Sequence, residues 1–183
     1  GGGAAARVAE TGESLWKTKV GRGGVVAAIN FGLAAYDGKV FVPISDVPDG
    51  RVYDEPARPG VYALNVDNGE YVWRAPAGKD VCNGRPGCNP GYSAAISVTE
   101  DYVLAGSNEG WLRAFDINNG QVLWEFDTTD AFTAVDGRTA RGGSIGGGQA
   151  PLVVGDRLIL NSGYAFAGKM PGNALLVLRL PPN

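Results

Sequence analysis

The sequence predicts an all-β fold: a partial β-propeller made of about three four-stranded antiparallel blades. Two observations carry this. A short phrase occurs three times, as TGESLWKTKV from Thr11, NGEYVWRAPA from Asn68 and NGQVLWEFDT from Asn119. In each, a turn glycine is followed four residues later by Trp. Trp16, Trp73 and Trp124 therefore stand roughly fifty residues apart, close to the period of propeller blades. The second observation is the context of the phrase. GVYALNVDNGEYVW (from Gly60) and GWLRAFDINNGQVLW (from Gly110) both read strand, Asn-Gly-type turn, strand, which is a strong hairpin signal.

The remaining elements repeat as well. GNALLVLRL, from Gly172, reads as the first strand of a third such hairpin. YDGKVFVPIS, EDYVLAGS and GDRLILNSG, from Tyr36, Glu100 and Gly155, supply a second strand to each unit. VVAAIN at Val25, SAAISV at Ser93 and QAPLVV at Gln149 are expected as inner strands, where Ala27, Ala28, Ala94 and Ala95 suit a crowded axis. Proline and glycine interrupt every candidate helix longer than a turn. Each Trp falls on an outer strand, where a buried indole can cover roughly 150–250 Å² against the next blade. Trp16, Trp73 and Trp124 are thus expected as structural residues.

The pattern comprises a loose outer strand (Glu13 to Val20), two complete blades and a third without its outer strand. Closed propellers have about four to eight blades. Residues 13–183 are therefore expected to be C-terminal blades of one larger propeller domain, with residues 1–12 an arm or cut end.

Composition narrows the function classes. A net charge of -3 and the absence of a Lys/Arg-rich run disfavour nucleic acid. No apolar run is long enough to span a bilayer. The chain has no His, which excludes Ser-His-Asp and Cys-His triads and makes zinc a poor fit. Cys82 and Cys88, in CNGRPGC, read first as a loop disulfide in an oxidising compartment. The alternative is two reduced surface thiols.

Two kinds of connection separate the strands. The inner–second and third–outer turns are short and polar. The second–third and outer–inner connections are long: residues 45–60, 77–92, 127–148 and 161–173. Long loops on a rigid scaffold are where sites sit, so a binding face is expected there. It offers Asp46, Asp49, Arg51, Asp54, Glu55, Arg58, Asn89, Asn108, Arg138, Arg141, Tyr164 and Lys169. Asp46 ranks high because it directly follows a strand. Arg141 ranks high because a glycine-rich segment follows it, aiming it toward the axis. GGSIGGG, from Gly142, lacks the helix and GK[ST] ending of a phosphate loop. Close backbone approach explains its glycines better.

The Gly-x-x-x-Trp strands resemble the tryptophan-docking repeats of pyrroloquinoline quinone (PQQ) dehydrogenases, which are eight-bladed propellers. CNGRPGCNPGYSAAISV, GSNEGWLRAFDINNGQVLWEFDT, RGGSIGGG and NSGYAFAGKMPGNALLVL look like the C-terminal third of polyvinyl-alcohol dehydrogenase-type quinoproteins. The resemblance implies a periplasmic or secreted enzyme that oxidises an alcohol to a carbonyl with PQQ and Ca²⁺. Cytochrome c or another acceptor would take the electrons, and the remaining blades of the parent chain would complete the ring. By residue the resemblance carries over the docking Trp positions; on the long-loop face Asp46 is the candidate catalytic residue, and Arg141, Asn89, Asn108, Gly143 and Tyr164 are the candidate cofactor contacts. Metal ligands are unassigned. Some relatives carry adjacent cysteines against the quinone; here Cys82 and Cys88 are separated, which suits a loop staple. The competing expectation is a non-catalytic propeller that binds proteins, similar to an outer-membrane assembly lipoprotein.

Overall fold

The computed structural model describes residues 2–24, 28–78 and 80–179. Among the described residues, four sheets and one further two-stranded hairpin follow one another along the chain. Sheet I pairs β1 (Gly3–Arg7) with β2 (Ser14–Lys19). Sheet II runs β3 (Ala34–Tyr36), β4 (Lys39–Ile44), β5 (Gly60–Asn65) and β6 (Tyr71–Pro76). Sheet III runs β7 (Ser97–Val98), β8 (Tyr102–Gly106), β9 (Trp111–Asp116) and β10 (Val122–Asp127). A small hairpin, β11 (Ala131–Thr133) with β12 (Thr139–Arg141), precedes sheet IV. Sheet IV comprises β13 (Leu152–Val154), β14 (Arg157–Ser162) and β15 (Ala174–Arg179). All pairings are antiparallel. The helical content among the described residues is a single 3-10 turn at Phe166–Gly168.

Three expectations about strand placement change. Gly3–Arg7, expected within an arm, forms β1, because the turn at Gly12 folds it back onto β2. The inner strand of sheet II lies at Ala34–Tyr36 instead of at VVAAIN. The two-residue turn at Asp37 and Gly38 has positive φ at both residues (47° and 69°), which suits a tight hairpin. It pairs Tyr36 with Lys39 and so assigns the inner strand to the residues just before it. Val25–Ala27 lie outside the described residues, and Ala28 is buried at a positive φ. The long loop 127–148 holds the hairpin β11–β12, which was not foreseen.

Strand alternation gives each sheet two faces, and the cores lie between sheets. Phe41, Val61, Ala63 and Trp73 of sheet II pack on Tyr92, Ile96, Val103, Ala105, Phe115 and Ile117 of the next unit. Leu104, Leu112 and Ala114 of sheet III pack on Ile145, Leu158, Leu160, Ala174 and Leu176. Ala4, Val20 and Trp16 pack on Val42, Ile44, Tyr62 and Leu64.

The repeated Trp is the link between sheets. The Trp16 indole donates to the Val66 carbonyl at 2.8 Å, and the Trp73 indole to Ile117 at 3.0 Å. Each ring covers the turn glycine of the following unit. A Cβ on Gly69 would lie 2.6 Å from Trp16, and one on Gly120 2.5 Å from Trp73. The turn itself repeats. Gly12, Gly69 and Gly120 have φ of 72°, 72° and 73° and donate four residues back, to Val8, Asn65 and Asp116. Trp124 departs from the expectation: it is 42% exposed and stacks on Phe126 at 6.0 Å.

Candidate ligand-binding face

The long connections meet at the ends of the second strands. Lead-in segments to the inner strands thread between them: Tyr92 N–H donates to the Ile44 carbonyl, and Ile145 N–H to Ser107. Asn108 is the fully buried hub of this region. Its Oδ1 accepts from Ser93 Oγ at 2.7 Å, and its Nδ2 donates to Ser45 Oγ and Asn89 Oδ1, both at 3.3 Å. Its carbonyl accepts from Ser144 Oγ at 2.6 Å. Ser144 in turn accepts on its carbonyl from the N–H groups of Gly163 and Tyr164, and on Oγ from Met170 N–H. Asn89, Asn108 and Tyr164 therefore belong to one connected network, whereas the Gly143 N–H donates to Ser162 Oγ at 2.9 Å in a separate cluster. The network's members bond mainly to one another, which gives it the character of a rigid floor.

Gly142 and Gly143 allow the close approach that their sequence suggested. A Cβ on Gly142 would sit 1.5 Å from the Thr128 carbonyl oxygen, and one on Gly143 2.5 Å from those of Met170 and Pro171. Gly146 and Gly147 pass under the Tyr164 ring. That ring meets Phe31 edge-on at 6.0 Å and Phe166 at 6.1 Å. Beside it lies a hollow of about 400 Å³, walled by Gly146–Gly148, Gln149, Asn161, Tyr164, Asn173 and Leu175. Its walls carry no charged side chain.

Asp46 is 2% exposed at a φ of 40°. Its Oδ2 accepts from the backbone N–H groups of Arg22 and Arg58 at 2.8 and 2.9 Å, while Oδ1 is buried without a partner among the described residues. Glu109 occupies the equivalent position of the next unit, since Lys39–Asp46 and Tyr102–Glu109 align strand for strand. It too has one buried oxygen without a partner there, Oε1. Its Oε2 accepts from Arg113 at 3.0 Å and Ser107 Oγ at 3.2 Å. Arg113 also reaches Tyr92 at 3.0 Å and Glu125 at 3.1 Å. Burial pushes the Tyr92 phenol up to about 12, against the pull of Arg113. No group of three or more Cys, Asp or Glu side chains among the described residues could hold a metal ion.

Arg141 stands apart from this network. It lies exposed on β12, tied through its backbone to Asn173, and its guanidinium has no hydrogen bond or ion pair among the described residues. Lys169, among the residues the sequence places on this face, is 6% exposed without an ion pair among the described residues. Burial pulls its ammonium below the usual lysine range.

Cys82 and Cys88 are bonded as expected. Their loop is wedged between units: Arg85 donates to Thr129 Oγ1 at 3.3 Å, and Gly87 lies against Gly168–Met170. No helix among the described residues is long and apolar enough to cross a membrane.

Comparison with known proteins agrees with this architecture. A family profile described as "Outer membrane protein assembly factor BamB", PQQ_2, matches residues 1–174. The polyvinylalcohol dehydrogenase of a Pseudomonas sp. is 38% identical over 165 residues, covering 89% of this chain and 25% of that protein. The polyvinylalcohol dehydrogenase of Sphingopyxis sp. (strain 113P3) is 36% identical over 161 residues, covering 86% and 24%. The chain thus spans about a quarter of the length of these relatives. In fold it is similar to a europium-containing methanol dehydrogenase, with a TM-score of 0.61, 19% identity and coverage of 97% of this chain and 36% of that one. These β-sheets joined by docked tryptophans belong to the PQQ_2 repeat family.

Proposed function

We propose that this chain supplies C-terminal blades to an eight-bladed, periplasmic or secreted PQQ-dependent alcohol dehydrogenase. It would oxidise an alcohol, secondary or polymeric such as polyvinyl alcohol, to a carbonyl, with cytochrome c or another acceptor taking the electrons. The observation that supports this best is the 38% identity to a polyvinylalcohol dehydrogenase across 89% of the chain.

The residues fit the quinone in part. PQQ is a flat tricarboxylate. Lys169, a buried ammonium without an ion pair among the described residues, is the kind of group an anion would neutralise. Arg141 offers a second, unengaged cation. Lys169 and Arg141 would bind carboxylates, and the rigid Asn108 network would hold the loops that carry them. PQQ supplies the two-electron acceptor when bound. Asp46 is the candidate base, and Oδ1 is the atom that would take the alcohol proton. Its other oxygen holds two backbone N–H groups. Calcium belongs to the reading of the complete enzyme, and no role is assigned to it through these residues.

The test is dye reduction by the complete protein, loaded with PQQ and Ca²⁺ and supplied with secondary alcohols or polyvinyl alcohol. Alcohol-dependent reduction is expected, and its absence in well-folded, quinone-loaded protein overturns the proposal. Asp46→Asn keeps an acceptor for both N–H groups, so its melting temperature should hold while turnover falls. The second reading is a non-catalytic scaffold for proteins, favoured by the description of the matching family profile. It expects neither quinone binding nor turnover.

A further inference from the structure

The grooves between outer strands repeat as the sheets do, and one of them breaks the charge pattern. In sheet III, Arg113 of the third strand lies opposite Glu125 of the outer strand. The pair lines the groove toward sheet II and closes at 3.1 Å. Glu109 gives Arg113 a second acid at 3.0 Å. The groove between sheets II and III thus supplies its own counter-charges. Trp73 opposite Ala63 and Trp124 opposite Ala114 fix the equivalent positions in sheet II, which hold Tyr62 and Arg74. Arg74 therefore faces a phenol where sheet III has an acid. It is exposed, has no ion pair or hydrogen bond among the described residues, and rests its guanidinium 3.8 Å from the Tyr71 ring centroid.

Arg74 borders a hollow of about 360 Å³ between sheets I and II. Lys19, at the end of β2, and Arg58, from the long loop 45–60, share its wall with Tyr62, Tyr71 and Pro76. The two phenol rings meet edge-on at 6.1 Å. Glu55 is the acid that serves this wall, paired with Lys19 and, at 3.2 Å, with Arg58. Asp46 lies buried behind it and is already engaged: it accepts from the Arg22 and Arg58 backbone N–H groups, and its carbonyl accepts from the Arg22 guanidinium at 3.3 Å. Lys19, Arg58 and Arg74 therefore share the one carboxylate of Glu55. The chain as a whole carries a net charge of -3, so this local excess of cations does not follow from composition.

We propose that the groove between sheets I and II binds a small organic anion, whose carboxylate takes the place that Glu125 holds in sheet III. Arg58 and Arg74 offer planar forks that match a carboxylate. Tyr62 and Tyr71 offer a flat apolar surface to the body of the ligand. The hollow is concave and of a size that suits a small ligand, which favours a free molecule over the flatter surface of a partner protein. It shares no lining residue with the hollow beside Tyr164. The inference rests on register and charge, independently of the quinone reading.

The test is calorimetric titration of the complete natural protein with isophthalate, a flat aromatic dicarboxylate, at low ionic strength, where an exposed site is least screened. Saturable binding is expected. Arg74→Gln should weaken it about tenfold, as loss of one charge-assisted hydrogen bond does. Arg74→Glu installs the acid of the sheet III position and should abolish it. Glu125→Gln, in the neighbouring groove, should leave it unchanged. Melting temperatures check that the variants fold, and Arg58→Gln gives the same comparison if Arg74→Gln does not. Absence of binding to the wild type overturns the proposal, as does binding that Arg74→Glu leaves intact. Equal binding of isophthalamide, the neutral counterpart, also overturns it. So does binding of a Glu-rich peptide without binding of isophthalate, because the occupant is then a partner's side chain. Loss of alcohol oxidation would leave this result untouched.

Discussion

The Trp73 indole lies on Gly120 with its N–H on the Ile117 carbonyl, so one side chain of sheet II closes over the turn of sheet III. The contact demands both partners. The ring needs a residue without a Cβ beneath it, and the turn needs a residue at φ 73°, which glycine alone adopts without strain.

Gly120→Ala is therefore expected to cost about 2–4 kcal/mol, from left-handed strain together with overpacking. Gly155→Ala is the control. Its φ is 57°, but nothing lies within 4 Å of the added carbon, so only the strain of about 1–2 kcal/mol applies. Urea unfolding of the two variants checks this; equal losses would remove the steric part of the argument.

Arg113 joins the buried Glu109 and Tyr92 to the half-exposed Glu125. Arg113→Ala leaves the buried Glu109 without its counter-charge and is expected to cost about 3–5 kcal/mol. Arg113→Ala combined with Glu109→Ala should cost less than Arg113→Ala alone, since no orphaned charge remains. A double-mutant cycle measures the difference.

The pH dependence has two signed components. Tyr92 is raised from 10.0 to about 12, so the folded state holds its proton longer than the unfolded chain. That contribution is fully present below pH 10 and is lost as pH climbs to 12. Lys169 is lowered from 10.5, so the unfolded chain binds the extra proton and stability rises as pH approaches 10.5. Comparing wild-type denaturation profiles with Tyr92→Phe and Lys169→Met isolates each slope. Lys169→Met should be neutral or up to about 1 kcal/mol more stable at pH 7.

Opening the disulfide by Cys82→Ser with Cys88→Ser is expected to cost about 2 kcal/mol, the loop-closure entropy of a ring this small. A mass increase on reduction, read by mass spectrometry, checks that the bond is present in the native protein.

The blades were legible because their signals are local. A turn glycine, an Asn or Asp before it and a Trp four residues on are dictated within one hairpin. The inner strand of sheet II alone was misplaced, where register across the two-residue turn at Asp37–Gly38 outweighed composition. The site was less legible because its geometry is made between units. Asn108 gives no sign in sequence that it will bond Ser45, Asn89 and Ser93 at once. Lys169 lies in a loop whose backbone Gly87 packs against, far away in the sequence.

The central structural claim is that sheets are joined by indoles docked on the next turn. Urea unfolding of Trp73→Ala and Trp124→Ala in this chain tests it most directly. Trp73, 6% exposed, should cost about 3–5 kcal/mol when truncated. Trp124, 42% exposed, should cost under about 1 kcal/mol, as surface truncations do. Equal losses at the two positions, or a negligible loss at Trp73, would contradict it.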